Sequence, residues 1–128
     1  MICFDSWAVM AWLKGENPAH DIVEAVLEND RPTISWINMA EIYYLLARKA
    51  GERRAVDAIN ELRFALDCEL PTERRILDAA RIKTGNSVTL ADCFAISVAA
   101  DCGATLYTGD PEILEMADLP CEVRDLRG

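Results

Sequence analysis

The segment Met1-Ile-Cys-Phe-Asp-Ser-Trp-Ala-Val9 joins a strand pattern directly to a helix pattern. Its first apolar run, Met1–Phe4, predicts a short strand that ends at Asp5. The following residues predict a helix over Ser6–Lys14, which Gly15 ends. A strand, a carboxylate and a helix therefore follow one another without a linker, and this unit is the best guide to the fold.

The same alternation of short apolar runs and helical stretches continues along the chain. Further strands are predicted at Pro32–Ser35, Cys68–Leu70, Ala104–Tyr107 and Glu122–Asp125. Helices are predicted at Pro18–Glu28, Asn38–Ala50 and Arg53–Leu66, after a Thr72 cap, from a Thr89 cap to Asp101, and from the Thr108-Gly-Asp-Pro turn through Met116. Strands separated by helices predict an α/β fold with a central parallel sheet of about five short strands, flanked by helices on both faces.

Two of the predicted helices carry apolar stripes. In the Pro18–Glu28 helix the stripe consists of Ile22, Val23, Val26 and Leu27. In the Arg53–Leu66 helix, Val56, Ile59, Leu62 and Leu66 are predicted to lie on one side. Both helices are therefore expected to pack one face against a core.

Length and charge limit the classes of protein that this chain can belong to. Its 128 residues predict one domain over 1–128, and a 52% hydrophobic composition is enough for a packed core. The 22 acidic and 13 basic residues give a net charge of −9, which excludes tight binding of nucleic acid through bulk charge. An enzyme that uses nucleic acid as a substrate stays possible, because a local basic patch can oppose the net charge.

The cysteines and apolar runs favour a cytoplasmic protein. There are five cysteines, an odd number without a Cys-x-x-Cys pair, so neither a zinc site nor a disulfide framework is predicted. We expect these thiols to be small core side chains. No run reaches the ~18 apolar residues that a spanning helix needs. His20 is the only histidine, so a Ser-His-Asp mechanism is difficult to build.

Four carboxylates stand at positions that favour a shared site. Asp5 and Asp110 each follow a predicted strand, and ligands of open parallel sheets gather outside the carboxyl ends of the strands. Glu41 and Asp92 lie on apolar faces of helices, where a charge is costly unless something neutralises it. Four carboxylates in one pocket form a hard oxygen-ligand site, which favours Mg²⁺ or Mn²⁺ over zinc.

Each acid also has an ordinary structural explanation. Asp5 and Asp110 are suited to cap the helices that follow them. Asp92 falls in the first turn of its helix, where the dipole favours a negative charge. A buried arginine is a further way to neutralise an acid on an apolar helix face. The combination of the four is more specific than any one of them.

Four motifs of the chain resemble those of the PIN-domain ribonucleases, and most closely those of the VapC toxins. The motifs are Met1-Ile-Cys-Phe-Asp-Ser-Trp-Ala-Val9 with Asp5, Asn38-Met-Ala-Glu-Ile-Tyr-Tyr44 with Glu41, Leu90-Ala-Asp-Cys-Phe-Ala95 with Asp92, and Leu106-Tyr-Thr-Gly-Asp-Pro111 with Thr108 and Asp110. The resemblance spans essentially the whole chain and implies a PIN-like α/β/α sandwich. It also implies a Mg²⁺- or Mn²⁺-dependent endoribonuclease that forms a homodimer and is inhibited by a VapB-like antitoxin, a small protein from the same operon.

One position departs from the family pattern. Many members carry Ser or Thr two places after the first acid, where this chain has Trp7. Ser6 is adjacent and is a candidate to orient Asp5. With Thr108, it is expected to support the metal-binding carboxylates rather than to bind the metal.

The hypothesis that follows is hydrolysis of RNA phosphodiester bonds by a metal-activated water, which leaves 3′-hydroxyl and 5′-phosphate ends. Asp5, Glu41 and Asp92 are expected to hold the metal, and Asp110 to complete the site. Two basic groups are candidates to attract RNA, although solvated helix faces explain them equally simply. They are Arg48, Lys49, Arg53 and Arg54, and Arg74, Arg75, Arg81 and Lys83. Aromatic residues suited either to base stacking or to packing are Trp7, Trp12, Trp36, Tyr43 and Tyr44.

Other classes fit the sequence less well. A haloacid-dehalogenase-type phosphatase needs an acid two residues after Asp5, where Trp7 stands. A signalling receiver domain needs neighbouring acids after its first strand and an acceptor Asp after its third, and Ser6-Trp7 and Cys68-Glu-Leu-Pro71 do not supply them. A PIN-like module that binds RNA or a partner without cleaving stays open as the alternative.

Overall fold

The protein folds around five parallel strands. The computed structural model describes residues 1–128. Its strands are Ile2–Phe4 (β1), Thr33–Ser35 (β2), Asp67–Glu69 (β3), Thr105–Thr108 (β4) and Val123–Asp125 (β5). They form one sheet in the order β3-β2-β1-β4-β5, and every neighbouring pair is parallel. The predicted parallel α/β sheet is confirmed.

Seven helices connect and cover the strands. They are Ser6–Lys14 (α1), Ala19–Asn29 (α2), Trp36–Ala50 (α3), Glu52–Ala65 (α4), Glu73–Thr84 (α5), Leu90–Cys102 (α6) and Pro111–Leu114 (α7). The predicted caps Thr72 and Thr89 each accept a backbone N–H of the helix that follows. The third helix begins two residues before its predicted start at Asn38, because Ser35 Oγ accepts the Ile37 N–H at 3.1 Å and caps the helix there. None of the seven helices combines the length and the apolar character needed to cross a bilayer.

The core has two parts, one on each face of the sheet. Phe4 and Ile34 point to the side covered by α1–α4, whereas Cys3 and Leu106 pack with α5, α6 and α7. Adjacent residues of a strand face opposite sides, which is why Cys3 and Phe4 belong to different parts. Helix α6 is apolar on nearly all sides and is buried from Asp92 to Ala99. The architecture is the predicted sandwich of helices on both faces.

The buried side of α4 differs from the predicted stripe. Val56 is 44% exposed, whereas Ala55, Ala58 and Leu62 are buried. Positions three and seven residues apart lie on one face of a helix, so the buried stripe is rotated by one residue. The sequence pattern favoured the larger Val56, but the small alanines allow α4 to pack closely against its neighbours.

The expectation that the cysteines are core residues holds for only part of the set. Cys3 and Cys93 are buried, Cys68 and Cys121 are half-buried, and Cys102 is exposed at the end of α6. All five thiols are free, as predicted.

Candidate functional site

The topology brings the four predicted carboxylates to the carboxyl edge of the sheet. Asp5 directly follows β1, and Asp110 lies two residues beyond β4. Helix α3 begins directly after β2, and Glu41 lies in its second turn. Asp92 lies in the first turn of α6, which packs against α3. Because all strands run in the same direction, the two strand-end acids share one edge of the sheet.

A cleft of about 520 Å³ opens at this edge. Glu41, Asp92 and Asp110 line it, and Asp5 is buried beside it at 1% exposure. The other lining residues are Ser6, Trp7, Met10, Ala11, Lys14, Glu16, Leu45, Arg48, Lys49, Thr89 and Glu112. The cleft is therefore acidic at its base, with basic side chains among its walls.

Asp5 is held in one orientation by two donors. Its Oδ1 accepts the Ala8 N–H at 2.9 Å, so Asp5 caps α1 as its structural explanation requires. Its Oδ2 accepts the hydroxyl of Thr108 at the end of β4. The Thr108 hydroxyl oxygen also accepts the Asp110 N–H at 3.0 Å. Thr108 thus connects the two strand-end acids.

Glu41 is held by Ser6 and Asn38. The Ser6 hydroxyl donates to Glu41 Oε1 at 2.5 Å, and not to Asp5 as the sequence suggested. Asn38 Nδ2 lies 3.5 Å from the same oxygen and donates to the Ala91 carbonyl at 3.2 Å. Asn38 is fully buried and its Oδ1 has no partner. Sequence reasoning missed Asn38, although its place one helical turn before Glu41 was an available signal.

Burial and mutual repulsion disturb the ionisation of this cluster. Burial raises the pKa of Asp5 to about 7, against the opposing hydrogen bonds from Thr108 and Ala8, and the charges of Asp92 and Asp110 raise it further. Burial also raises the pKa of Asp92 to about 6, with the charge of Asp110 as the next contribution. The negative charges of these acids therefore act on one another across the cleft.

None of the four acids forms a salt bridge. The carboxylates in all of the ion pairs of the structure are ones other than these four. The buried arginine, Arg75, pairs with Glu69 and Asp101 instead. The explanation that an arginine neutralises Glu41 or Asp92 is therefore not supported.

The chemistry of this donor set fits a hard divalent cation. All candidate ligands are carboxylate oxygens, which Mg²⁺ and Mn²⁺ prefer, and none of them is part of a salt bridge. Asp5 accepts a hydrogen bond from Thr108, and Glu41 accepts one from Ser6. No three of the acids lie close enough together to surround a single ion.

The first predicted basic group is divided by the structure. Arg48 and Lys49 line the cleft, whereas the exposed Arg53 and Arg54 do not. Lys14 at the end of α1 joins Arg48 and Lys49 in the cleft wall, although the sequence did not single it out. Three basic side chains therefore lie where a negatively charged ligand would enter.

The second predicted basic group is largely engaged within the fold. Arg75 is only 7% exposed and donates to Glu69, Asp101 and Ser97. Arg74 and Arg81 both flank Asp78 on α5, at 3.7 and 2.8 Å. These three arginines do not lie at the acidic cleft.

Trp7 packs directly on the backbone of Gly109. A Cβ atom built at Gly109 would lie 2.2 Å from Trp7 Cη2 and 2.4 Å from Cζ2 and Cζ3. The six-membered ring of the indole therefore occupies the space that any larger side chain would need. This contact locks α1 to the turn between Thr108 and Asp110.

We expect Gly109→Ala to destabilise the protein by about 2 kcal/mol, because the added methyl group overpacks the contact with Trp7. The double variant Trp7→Ala/Gly109→Ala should show a smaller loss from the methyl group, since the ring that it meets is gone. Urea denaturation of the wild type, Trp7→Ala, Gly109→Ala and the double variant measures the coupling between the ring and the added methyl group. Equal costs of Gly109→Ala with and without the ring would contradict it.

The fold and the site define an α/β protein with an acidic cleft at the carboxyl edge of a parallel sheet. The chain belongs to the PIN domain family, whose family model matches residues 2–119. Among curated proteins it is similar to Ribonuclease VapC1 of Mycobacterium tuberculosis, with 23% identity over 128 residues and 96% of each chain covered.

Solved structures of similar fold come from toxin–antitoxin systems. VapBC2 from Rickettsia felis, bound to a DNA fragment from its promoter, has a TM-score of 0.75 at 17% identity, with 98% of each chain covered. VapBC-1 from nontypeable Haemophilus influenzae has a TM-score of 0.74 at 22% identity, with 100% of each chain covered. Mycobacterium tuberculosis VapC20, a Sarcin-Ricin loop cleaving toxin, has a TM-score of 0.71 at 19% identity, with 86% of this chain and 90% of that one covered.

Proposed function

We propose that this protein is a Mg²⁺- or Mn²⁺-dependent endoribonuclease and the toxin of a toxin–antitoxin pair. The observation that carries the proposal is that Asp5, Glu41, Asp92 and Asp110 lie together at the carboxyl edge of the sheet and that none of them forms a salt bridge. Repulsion between such carboxylates destabilises the folded state, and binding of a divalent cation would relieve that repulsion. Membership in the PIN domain family and the similarity to Ribonuclease VapC1 support the nuclease assignment.

In this proposal Asp5, Glu41 and Asp92 hold the cation, directly or through water, and Asp110 completes the site or orients a water. When bound, the cation neutralises the carboxylates, stabilises charge on the phosphate and lowers the pKa of a water. Thr108 and Ser6 keep Asp5 and Glu41 in place through their hydroxyl groups. Such supporting donors restrict the orientation of the carboxylates that bind a metal.

The reaction is hydrolysis of a phosphodiester bond. Water attacks phosphorus, the bond to the 3′ oxygen breaks, and that oxygen takes up a proton. The products are therefore a 3′-hydroxyl and a 5′-phosphate. Lys14, Arg48 and Lys49 in the cleft wall attract the phosphates of the incoming strand.

The toxin role supplies the partners. We propose that the protein acts in the cytoplasm, inhibits translation by cleaving RNA, and forms a homodimer and a hetero-oligomer with a VapB-like antitoxin. The similar folds come from VapBC assemblies, and apolar side chains are open on the surface, with Phe64 84% and Leu70 76% exposed. A search for a short open reading frame beside the gene tests this part. Its product should relieve growth arrest and co-purify with this chain.

Cleavage of structured RNAs with and without metal tests the nuclease. We expect the wild-type protein to cleave with Mn²⁺ or Mg²⁺ and to be inactive in EDTA. Asp92→Asn should lower the rate by at least ~100-fold, because losing even the supporting partners of a metal ligand costs 10–100-fold. The matched control is Glu61→Gln, which removes an equal charge from the exposed face of α4. Cleavage in EDTA, or full activity of Asp92→Asn, would contradict the proposal, and RNA binding without cleavage would favour the binding module.

Metal binding is also measurable without RNA. At a Mn²⁺ concentration 100-fold above Kd we expect the free energy of unfolding to rise by about 2.7 kcal/mol. Thermal unfolding should show the increase for the wild-type protein and for Glu61→Gln, but not for Asp92→Asn. An equal increase in all three proteins would place the metal elsewhere.

A further inference from the structure

We infer that Trp7 stacks on a base of the RNA strand beside the bond that is cut. This inference rests on the proposed nuclease function and adds the side chain that positions the RNA strand. It starts from Trp7, which lines the cleft and packs on Gly109.

One face of α1 forms a wall of the cleft. Trp7, Met10, Ala11 and Lys14 all line it, and residues spaced three, four and seven apart lie on one side of a helix. With a rise of 1.5 Å per residue, Trp7 and Lys14 are separated by about 10 Å along the helix. The wall therefore runs from an aromatic ring near the acids, past small and flexible apolar side chains, to a positive charge.

The position of the Trp7 ring is fixed in advance. Its six-membered ring packs on Gly109, and Asp110 follows that glycine directly. The residue is half-buried: it packs against the core on the side of α1–α4 and also lines the cleft. A ring held by packing loses little conformational freedom when a ligand stacks on it.

The charges around the ring favour a nucleic acid strand as the ligand. Arg48 and Lys49 of α3 line the same cleft as Lys14 of α1. Bases and phosphates alternate along a single strand. A base stacked on the Trp7 ring, beside the acids, together with phosphates bound by the basic side chains, matches this alternation. A paired base is not available for such stacking, because its faces are covered by its neighbours in the duplex.

Trp12 provides a matched control on the same helix. Its Nε1 donates to Glu24 Oε2 at 2.6 Å, and the residue does not line the cleft. Trp12 therefore joins α1 to α2, whereas Trp7 lines the cleft.

The test is binding of short single-stranded RNA oligonucleotides to the Asp92→Asn protein, which does not cut them, with the affinity measured by fluorescence anisotropy. Trp7→Leu keeps an apolar side chain on Gly109 and is expected to weaken binding about tenfold. Trp7→Phe should recover most of the affinity, and Trp12→Phe should leave it unchanged. Thermal unfolding confirms that each variant is folded.

An abasic site moved along the oligonucleotide identifies the stacked base. At one position we expect the abasic site to weaken binding about tenfold when Trp7 is present and not at all in the Trp7→Leu variant. The inference is overturned if the losses of affinity from the abasic site and from Trp7→Leu multiply independently at every position. It is also overturned if an abasic site weakens binding at no position, or if a duplex binds equally well. Coupling between Trp7 and one base without any cleavage by the wild-type protein would refute the nuclease proposal alone, whereas cleavage without coupling would refute this inference alone.

Discussion

Asp5→Asn is expected to abolish RNA cleavage and at the same time to raise the free energy of unfolding of the metal-free protein at pH 8. Asp5 is 1% exposed, and burial raises its pKa to about 7, so at pH 8 the fold carries a buried charge without a counter-ion. The amide removes this charge. Its Oδ1 can still accept the Ala8 N–H, and its Nδ2 can donate to Thr108 Oγ1. The shift from 3.8 to about 7 corresponds to a gain of up to ~4 kcal/mol.

The pH dependence of stability carries the same information. The folded-state pKa of Asp5 lies above its ordinary value, so the folded protein binds more protons than the unfolded chain between pH 4 and pH 7. The contribution of Asp5 to the free energy of unfolding therefore falls as the pH rises through this window and is constant above it. Asp92 acts in the same direction up to about pH 6. The difference between wild type and Asp5→Asn should accordingly grow from pH 4 to pH 7.

Urea denaturation in EDTA across this range measures the effect, and Asp57→Asn on the exposed surface of α4 is the control for the loss of one charge. Activity of the same proteins with Mn²⁺ should fall by at least ~100-fold for Asp5→Asn only. A variant that is less stable than wild type at pH 8, or equally stable at all pH values, would contradict the electrostatic account. A variant that retains cleavage would contradict the role of Asp5 in the proposed function.

Arg75→Ala is expected to destabilise the protein by about 3 kcal/mol. Arg75 Nη1 donates to the Ser97 carbonyl at 3.0 Å and to Ser97 Oγ at 2.9 Å. Its Nε donates to Glu69 Oε1 and its Nη2 to Asp101 Oδ2, both at 3.0 Å. One buried guanidinium therefore joins the end of β3, helix α5 and helix α6. Removing one partner of a buried charged network costs 3–5 kcal/mol, and the lower end applies because Asp101 is half exposed.

Arg75→Lys should recover only part of this loss, since a single ammonium cannot reproduce the planar fork that bonds three residues. The neighbouring Arg74→Ala is the control, because Arg74 is 81% exposed and its substitution should change stability by less than about 0.5 kcal/mol. Urea denaturation measures all three variants. Arg75 lies away from the acidic cleft, so folded Arg75→Ala should retain activity. Equal stability of the Arg74 and Arg75 variants would show that the network contributes nothing.

Much of the fold follows from local patterns. The strand at β1 and the helix over Ser6–Lys14 were predictable because an apolar run, a capping acid and a terminal glycine are all read within a few residues. The start of α3 was placed two residues late, because Ser35 was assigned to the strand and also caps the helix. The exposed Val56 was assigned to the buried side for a different reason, since side-chain size does not reveal that α4 packs through its alanines.

The sequence by itself determined which acids meet at one edge, because Asp5 and Asp110 are placed by the strands they follow and parallel strands share their carboxyl edge. Only the tertiary structure decided which groups hold those acids. Thr108 bonds Asp5 across 103 residues, and Ser6 bonds Glu41 across 35. The tertiary structure also decided that Arg75 is buried between α5 and α6 and that the Trp7 ring packs on Gly109. Such pairings depend on how whole helices dock on the sheet, and the spacing of residues along the chain carries no record of that docking.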